Sequence, residues 1–300
     1  MIIYWLQLIR WKNLVLILIT QSIIYFSFFR TNPNEVYISN VDVLLFILCT
    51  LIIAAGGFVI NDLFDQKADF INRPFNKCIV GNWIGISEAV RFYYIISILG
   101  ALIAIYLSIK TKFYYSYLIY PCSLYLFWIY TKYLKGNGFL GNIFVSLFIA
   151  AVVLIMPYLF NENLEHWHTH DPLRYTKTIT SLSILATFSF LINLFREIVK
   201  AIEDEPGDRL VGCKTAPVKF GIPTCLMIAR FIWILLFIFT GILFFQEYEH
   251  YSNFYFVIFI LLPQLILAYY LFLVKIPDYT LLSKIAKINM PIGLLYFCLI

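Results

Sequence analysis

The sequence predicts an all-α membrane protein with nine transmembrane helices around a central cavity, arranged as two pseudo-repeated groups of four plus a ninth helix. Three observations predict it. The 300 residues are 62% hydrophobic and 13% charged, with a mean hydropathy of +0.84; a soluble domain carries about a quarter charged residues. Apolar runs long enough to cross a bilayer recur along the chain. Lysine and arginine fall mostly on one side of those runs. No soluble interior could hide that much apolar surface, so lipid must be the solvent for most of the chain.

The runs lie at about 14–29, 41–60, 92–109, 113–130, 139–160, 178–195, 223–245, 253–274 and 284–300. The N-terminal stretch carries Arg10 and Lys12 inside apolar sequence and has no small-residue cleavage site. It therefore reads as a first membrane helix and not as a removed signal peptide. The third and fourth runs part only at Thr111–Lys112. Gly56 and Gly57, late in the second run, predict close helix packing. Pro157, Pro263 and Pro291 predict kinks. A single domain, 1–300, is expected.

Orientation follows from the bases. The N-terminus and the loops after even-numbered runs hold 17 of the 22 lysines and arginines. The opposite side holds Arg30, Lys110, Lys112, Arg174 and Lys177. The positive-inside rule makes the richer side cytoplasmic. The net charge of +5 thus speaks to orientation. No long basic run is present, so a nucleic-acid partner is not expected, and no obligate protein partner is evident. The six cysteines form no C-x-x-C pair, which argues against a disulfide frame or a thiolate metal site.

Two acidic clusters stand where runs leave the membrane on the basic side. In the first, Asn61, Asp65 and Asp69 are spaced by four, with Asp62 between them. Helical neighbours at that spacing share a face, about 5–6 Å apart at their β-carbons. Carboxylates that close repel one another, and hard oxygen ligands without histidine or thiolate suit magnesium. In the second, Asp204 and Asp208 repeat the spacing of Asp65 and Asp69, with Pro206 and Gly207 expected to end or distort the helix between them. The clusters occupy equivalent places in the two groups of four, so a weak internal duplication would face them across the cavity. Bases interleave both: Lys67, Arg73 and Lys77 near the first, and Arg196, Lys200, Arg209 and Lys214 near the second. Acids with bases suit a metal–diphosphate complex.

At these residues the chain resembles the UbiA superfamily of membrane prenyltransferases. Asn61 to Pro74, NDLFDQKADFINRP, fits the first family motif, NDxxDxxxD followed by NRP. The second motif, about KDxxDxxxD, is met by Lys200, Asp204 and Asp208, with Ala201 where an aspartate is usual. Glu203 and Glu205 are the nearby acids, and neither shares the helical angle of residue 201. Arg10-Trp11-Lys12-Asn13 resembles the RPxN start of the first helix, with Trp11 replacing proline. Tyr130 to Lys135 with Gly141-Asn142, and Gly212 to Val218 with Gly221, resemble two further family stretches. REIVKAIEDEPGDRLVGCKT and YLKGNGFLGN look most like the branch that prenylates geranylgeranylglycerol phosphate.

The resemblance implies a function. A prenyl group would pass from an allylic isoprenoid diphosphate to a lipid-soluble or amphipathic acceptor, either a glycerol-phosphate-type lipid or an aromatic quinone precursor. The cofactor would be Mg2+, with Asn61, Asp62, Asp65, Asp69, Asp204 and Asp208 as its ligands. Asp65, Asp69, Asp204 and Asp208 would be catalytic, Asp69 being the candidate general base. Arg10, Asn13, Arg73, Lys132, Lys135 and Lys200 would bind substrate. The implied location is a bacterial plasma membrane with the active site at its cytoplasmic face. Two other functions compete with this one. A cation transporter would carry its acids near the bilayer midplane on broken helices, whereas these sit at helix ends. A catalytically lapsed diphosphate binder is suggested by Ala201. His166, His168 and His170 form an HxHxH run, read as a solvated loop on the side away from the acids.

Overall fold

The computed structural model describes residues 2–30, 38–72, 78–110, 116–246, 252–274 and 278–299. In chain order the elements are α1 (Ile2–Leu8), α2 (Trp11–Ile24), α3 (Asn40–Phe64), α4 (Gln66–Asn72), α5 (Ile86–Lys110), α6 (Ser116–Ile129) and β1 (Asn137–Gly138). They continue with α7 (Leu140–Leu154), α8 (Met156–Leu159), α9 (Asn161–His170), α10 (Pro172–Val211), β2 (Lys214–Thr215), α11 (Ala216–Phe220) and α12 (Ile222–Gln246). The last are α13 (Ser252–Phe256), α14 (Leu262–Ala268) and α15 (Tyr279–Leu299). π-Helical turns extend α2 through Tyr25–Phe29 and α6 through Tyr130–Leu134, and two more, Val257–Leu261 and Tyr269–Leu273, flank α14.

The chain is an integral membrane protein. Among the described residues, seven helical stretches are long and apolar enough to cross a bilayer. They take up the predicted runs at 14–29, 41–60, 92–109, 139–160, 178–195, 223–245 and 253–274. The runs at 113–130 and 284–300 meet α6 and α15 and reach onto residues outside the described set. The helices gather into two compact units. One holds Met1–Gly136 with Ile155–Thr176, and the other holds Asn137–Leu154 with Lys177–Ile300.

In the first unit α3, α5 and α6 pack on small residues. A β-carbon at Gly56 would meet Leu124 at 3.2 Å, and one at Gly57 would meet Phe127 at 3.0 Å. The packing role expected of these glycines holds. Gly100 is tighter still: the Tyr120 ring lies over it, and its hydroxyl donates to the Ile96 carbonyl at 3.3 Å. On α5 the small Ala89, Gly100 and Ala104 face inward while Ile98 and Leu102 are 60% and 59% exposed. That pattern suits lipid, where close backbone approach and not apolar burial drives helix association. At the Asn40 end of α3, Ser39 caps the helix by accepting from the Asp42 N–H at 3.2 Å, and Tyr25 donates to Asn40 Oδ1 at 2.6 Å. Phe29 stacks on Phe160 there, ring centres 4.2 Å apart, with Trp167 beyond.

In the second unit one face of α10 forms the core. Ile192, Phe195, Ile198, Val199 and Ile202 recur every three or four residues and pack with Cys225, Ala229 and Leu236 of α12, Leu267 of α14, and Leu282 and Ala286 of α15. A polar seam joins α7 to α10. Asn142 donates to the Glu197 carbonyl at 2.9 Å, and Asn193 donates to the Ser146 hydroxyl at 3.3 Å.

The structure corrects several expectations. The helix does not end at Pro206. α10 runs unbroken for 40 residues to Val211, about 60 Å at 1.5 Å per residue, twice the hydrocarbon thickness of about 30 Å. Proline forfeits one backbone hydrogen bond, and the packed Ile198–Ile202 face and the Glu205–Arg209 pair keep the helix going. The histidine run is not a loop; it lies on α9. Pro157 and Pro263 lie within the continuous spans Leu140–Leu159 and Phe254–Leu273, each two residues past an interruption of regular α-helix, the turn at Ile155 and the π turn Val257–Leu261; Pro291 lies inside α15. The all-α architecture holds, with one two-residue parallel pairing beside the helices: β1 meets β2, Asn137 with Lys214 and Gly138 with Thr215.

Candidate active site

The first acidic cluster is built by the end of α3. The helix stops at Phe64, with Asp65 at its C-cap, and α4 begins at Gln66. The four-residue spacing survives the break, because the Asp65 N–H donates to Asn61 O and the Asp69 N–H to Asp65 O, each at 2.9 Å. Asn61 Nδ2 donates to Asp65 Oδ2 at 2.6 Å. Lys135 donates to the same carboxylate and reaches Asn61 Oδ1 at 3.5 Å.

The π-helical turn Tyr130–Leu134 delivers that lysine. Its closing bond runs from the Lys135 N–H to Tyr130 O at 2.8 Å, five residues back. Such turns insert one residue into the helical register and often mark functional sites. Lys132, on the same turn, is exposed and lies over the rings of Trp128 and Tyr133, at 4.7 Å and 5.2 Å from their centres. The structure thus brings Lys135 to the carboxylates and Lys132 to aromatic faces.

Asp62 takes a different base. It is buried, and Arg10 donates to its Oδ1 at 2.8 Å. Arg10 links α1 to α2 with φ 50 and ψ 52, the one non-glycine residue of positive φ among the described residues. Left-handed backbone costs a residue other than glycine about 1 kcal/mol or more. The guanidinium also lies over Phe58, 5.0 Å from the ring centre. Burial disfavours the Arg10 charge, but the carboxylates of Asp62, Asp65 and Asp69 outweigh it and raise its pKa. Lys135 follows the same logic: burial lowers, the Asp65 charge raises, and the net shift is upward. Asn13 stands one turn on, its N–H donating to the Arg10 carbonyl at 2.7 Å. Arg73 lies outside the described residues.

The second cluster lies on one helix. Lys200 Nζ is 4.0 Å from Asp204 Oδ2, one turn apart on α10. Asp208 is buried. Glu205 is also buried and is held by Arg209, with Nε donating at 2.6 Å, while Glu203 is exposed and accepts from Thr280 at 3.0 Å. Both glutamates therefore have partners of their own. Arg196 pairs with Glu197, and its Nε is buried without a hydrogen-bond partner.

Two contributors escaped the sequence reading. The Arg10–Asp62 pair spans 52 positions, and nothing local announces it. The parallel β1–β2 pair joins the two stretches that follow Lys135 and Gly212. Gly138 is in the left-handed region, φ 56, and its absent side chain leaves room for Phe220; the turn glycines Gly136 and Gly138 were the available signal. Among the described residues no group of three or more His, Cys, Asp or Glu side chains is gathered to hold an ion. The carboxylates of the first cluster are matched instead with Arg10 and Lys135.

Together these features define a class: a polytopic helical membrane protein that presents asparagine, aspartates and matched bases at the end of a membrane helix. Residues 23–290 match the UbiA prenyltransferase family, and the chain belongs to that family. It is 30% identical over 203 residues to the digeranylgeranylglyceryl phosphate synthase of Sulfurisphaera tokodaii, a match covering 68% of this chain and 66% of the relative. The chain thus spans just under two thirds of that relative's length. A solved digeranylgeranylglyceryl phosphate synthase structure aligns with TM-score 0.66 and 26% identity, over 99% of this chain and 97% of the other. A UbiA homologue from Archaeoglobus fulgidus, bound to GPP and Mg2+, shares the fold with TM-score 0.58 and 17% identity, over 98% and 99% of the two chains.

Proposed function

We propose that this chain is a magnesium-dependent prenyltransferase that moves a prenyl group from an allylic isoprenoid diphosphate to a glycerol-phosphate-type lipid acceptor. The observation that carries it is the Asn61–Asp65–Lys135 and Asp62–Arg10 arrangement at the end of α3. The acids present hard oxygen ligands, and each base stands ready for a phosphate oxygen. Family membership and the names of the relatives favour the reaction class and the acceptor.

The donor set fits magnesium: amide and carboxylate oxygens, with no histidine or thiolate among them. Asn61, Asp62, Asp65 and Asp69 would hold it in the first cluster, and Asp204 and Asp208 in the second. Magnesium, when bound, would neutralise charge developing on the leaving diphosphate. Arg10, Lys135 and Lys200 would exchange carboxylate partners for phosphate oxygens as substrate enters. The allylic C–O bond breaks with its electron pair leaving on the diphosphate, and the acceptor hydroxyl oxygen then bonds to the allylic carbon. Its proton passes to Asp69 or to a phosphate oxygen. Lipid-facing walls exclude the water that would quench the allylic cation. The site faces the cytoplasm on the positive-inside argument, and one domain, 1–300, carries it. The expectation of a bacterial membrane rests on the sequence alone; the named relative of known source and the Archaeoglobus homologue are archaeal.

The test is transfer of labelled geranylgeranyl diphosphate by the purified chain in detergent, with geranylgeranylglyceryl phosphate or 4-hydroxybenzoate as acceptor. Magnesium-dependent product with the first acceptor alone is the expected result. Diphosphate binding without product across both acceptors would favour a lapsed enzyme, the reading that Ala201 motivates.

A further inference from the structure

The histidine run is not absorbed by the proposed chemistry. On α9, Glu162, His166 and His170 are spaced by four and so share one face. The His166 and His170 rings stack with centres 4.4 Å apart and planes 22° apart. His168 is on another face, edge-on to Tyr175 at 4.9 Å. The helix stands at the Asn40 end of α3, through Phe160 and Trp167 stacked with Phe29. α3 is 25 residues long, about 37 Å, so this face is far from the first acidic cluster.

The neighbourhood also sets which nitrogen is available. The Thr169 hydroxyl donates to the carbonyls of His166 at 3.0 Å and Glu165 at 3.2 Å. Its oxygen then accepts from Nδ1–H of His170 at 2.7 Å, and the His166 carbonyl accepts from the same Nδ1–H at 3.1 Å. The consistent assignment puts the proton on Nδ1 and the lone pair on Nε2. Metal-binding histidines are oriented in this way, the second nitrogen donating to a carbonyl or hydroxyl. Histidine pairs at i, i+4 on one helix face are a recurrent chelate for zinc-like ions.

We propose that His166 and His170 form a two-imidazole site for a divalent transition ion of the zinc, nickel or copper class. The site is separate from the magnesium chemistry: imidazole suits these ions, and magnesium prefers oxygen. A bound ion clamps two turns of α9, and binding only to the folded state stabilises it.

The experiment uses the full chain in detergent without a histidine tag, titrated with zinc chloride by calorimetry and followed by thermal unfolding. One zinc per chain and a raised unfolding midpoint are expected, with magnesium neither competing nor substituting. His166→Ala or His170→Ala should weaken zinc binding by about tenfold or more, and Thr169→Val by about tenfold through loss of ring orientation. His168→Ala should bind as the parent does. Copper(II) added to the parent should give a spin-resonance signature of two nitrogen ligands, a reading that needs no variant to fold. No saturable zinc binding, or binding unchanged in the His166→Ala/His170→Ala double variant, overturns the proposal.

Discussion

Arg10 and Asp62, 52 positions apart, hold each other at 2.8 Å with the carboxylate 8% exposed and the guanidinium 27% exposed. The pair fastens the turn between α1 and α2 to the end of α3. Arg10→Ala leaves a buried carboxylate without its base, so unfolding should become easier by about 2 kcal/mol. Arg10→Ala/Asp62→Asn, which also removes the stranded charge, should recover part of that loss. Thermal unfolding of the parent and the two variants checks the ordering; equal stability of the single and double variants would refute it.

Asp65 carries both Asn61 and Lys135. Asp65→Asn keeps the shape and removes the charge that a metal needs. Turnover should fall by about 100-fold or more, and added magnesium should not restore it. Lys135→Met should act mainly on the diphosphate, raising KM for the prenyl donor more than it lowers kcat. Steady-state kinetics separate the two, and a pure kcat effect in Lys135→Met would count against a phosphate role.

A β-carbon at Gly100 would lie 2.0 Å from the Tyr120 hydroxyl, whereas one at Gly241 meets nothing within 4 Å. Gly100→Ala should therefore destabilise by about 1–3 kcal/mol through overpacking. Gly241→Ala should be neutral or slightly stabilising, since alanine favours a helix interior. The unfolding midpoints of the two proteins in one detergent check the contrast.

Ala201 sits one turn before Asp204 and Glu205 on α10. Ala201→Asp returns an acid to the second motif. The magnesium concentration for half-maximal activity should fall several-fold, at a stability cost of about 0.5 kcal/mol from like charges at i, i+3 and i, i+4. An unchanged magnesium requirement would show that Asp204 and Asp208 suffice.

The sequence alone was enough for the solvent, for most of the membrane helices and for the local spacing of the first acidic cluster. Apolar runs of bilayer length have one outcome in lipid, because every backbone polar group must be bonded within the segment. The Asn61, Asp65 and Asp69 spacing likewise carried over, since i, i+4 geometry is local. Where local rules misled, tertiary contacts were the reason. Pro206 reads as a helix stop or distortion, yet α10 continues past it, with Ile198, Val199 and Ile202 packed against α12, α14 and α15. His166 to His170 read as a loop by composition, and buried Trp167 and Leu164 make it a packed helix. Which base meets which acid was decided only by the fold. Lys132 and Lys135 are equivalent in sequence, and a π turn sends one to aromatic rings and the other to Asp65. Composition and periodicity are properties of neighbours along the chain. The partners of Asp62 and Asp65 lie 52 and 70 residues away, and only the folded backbone sets those distances.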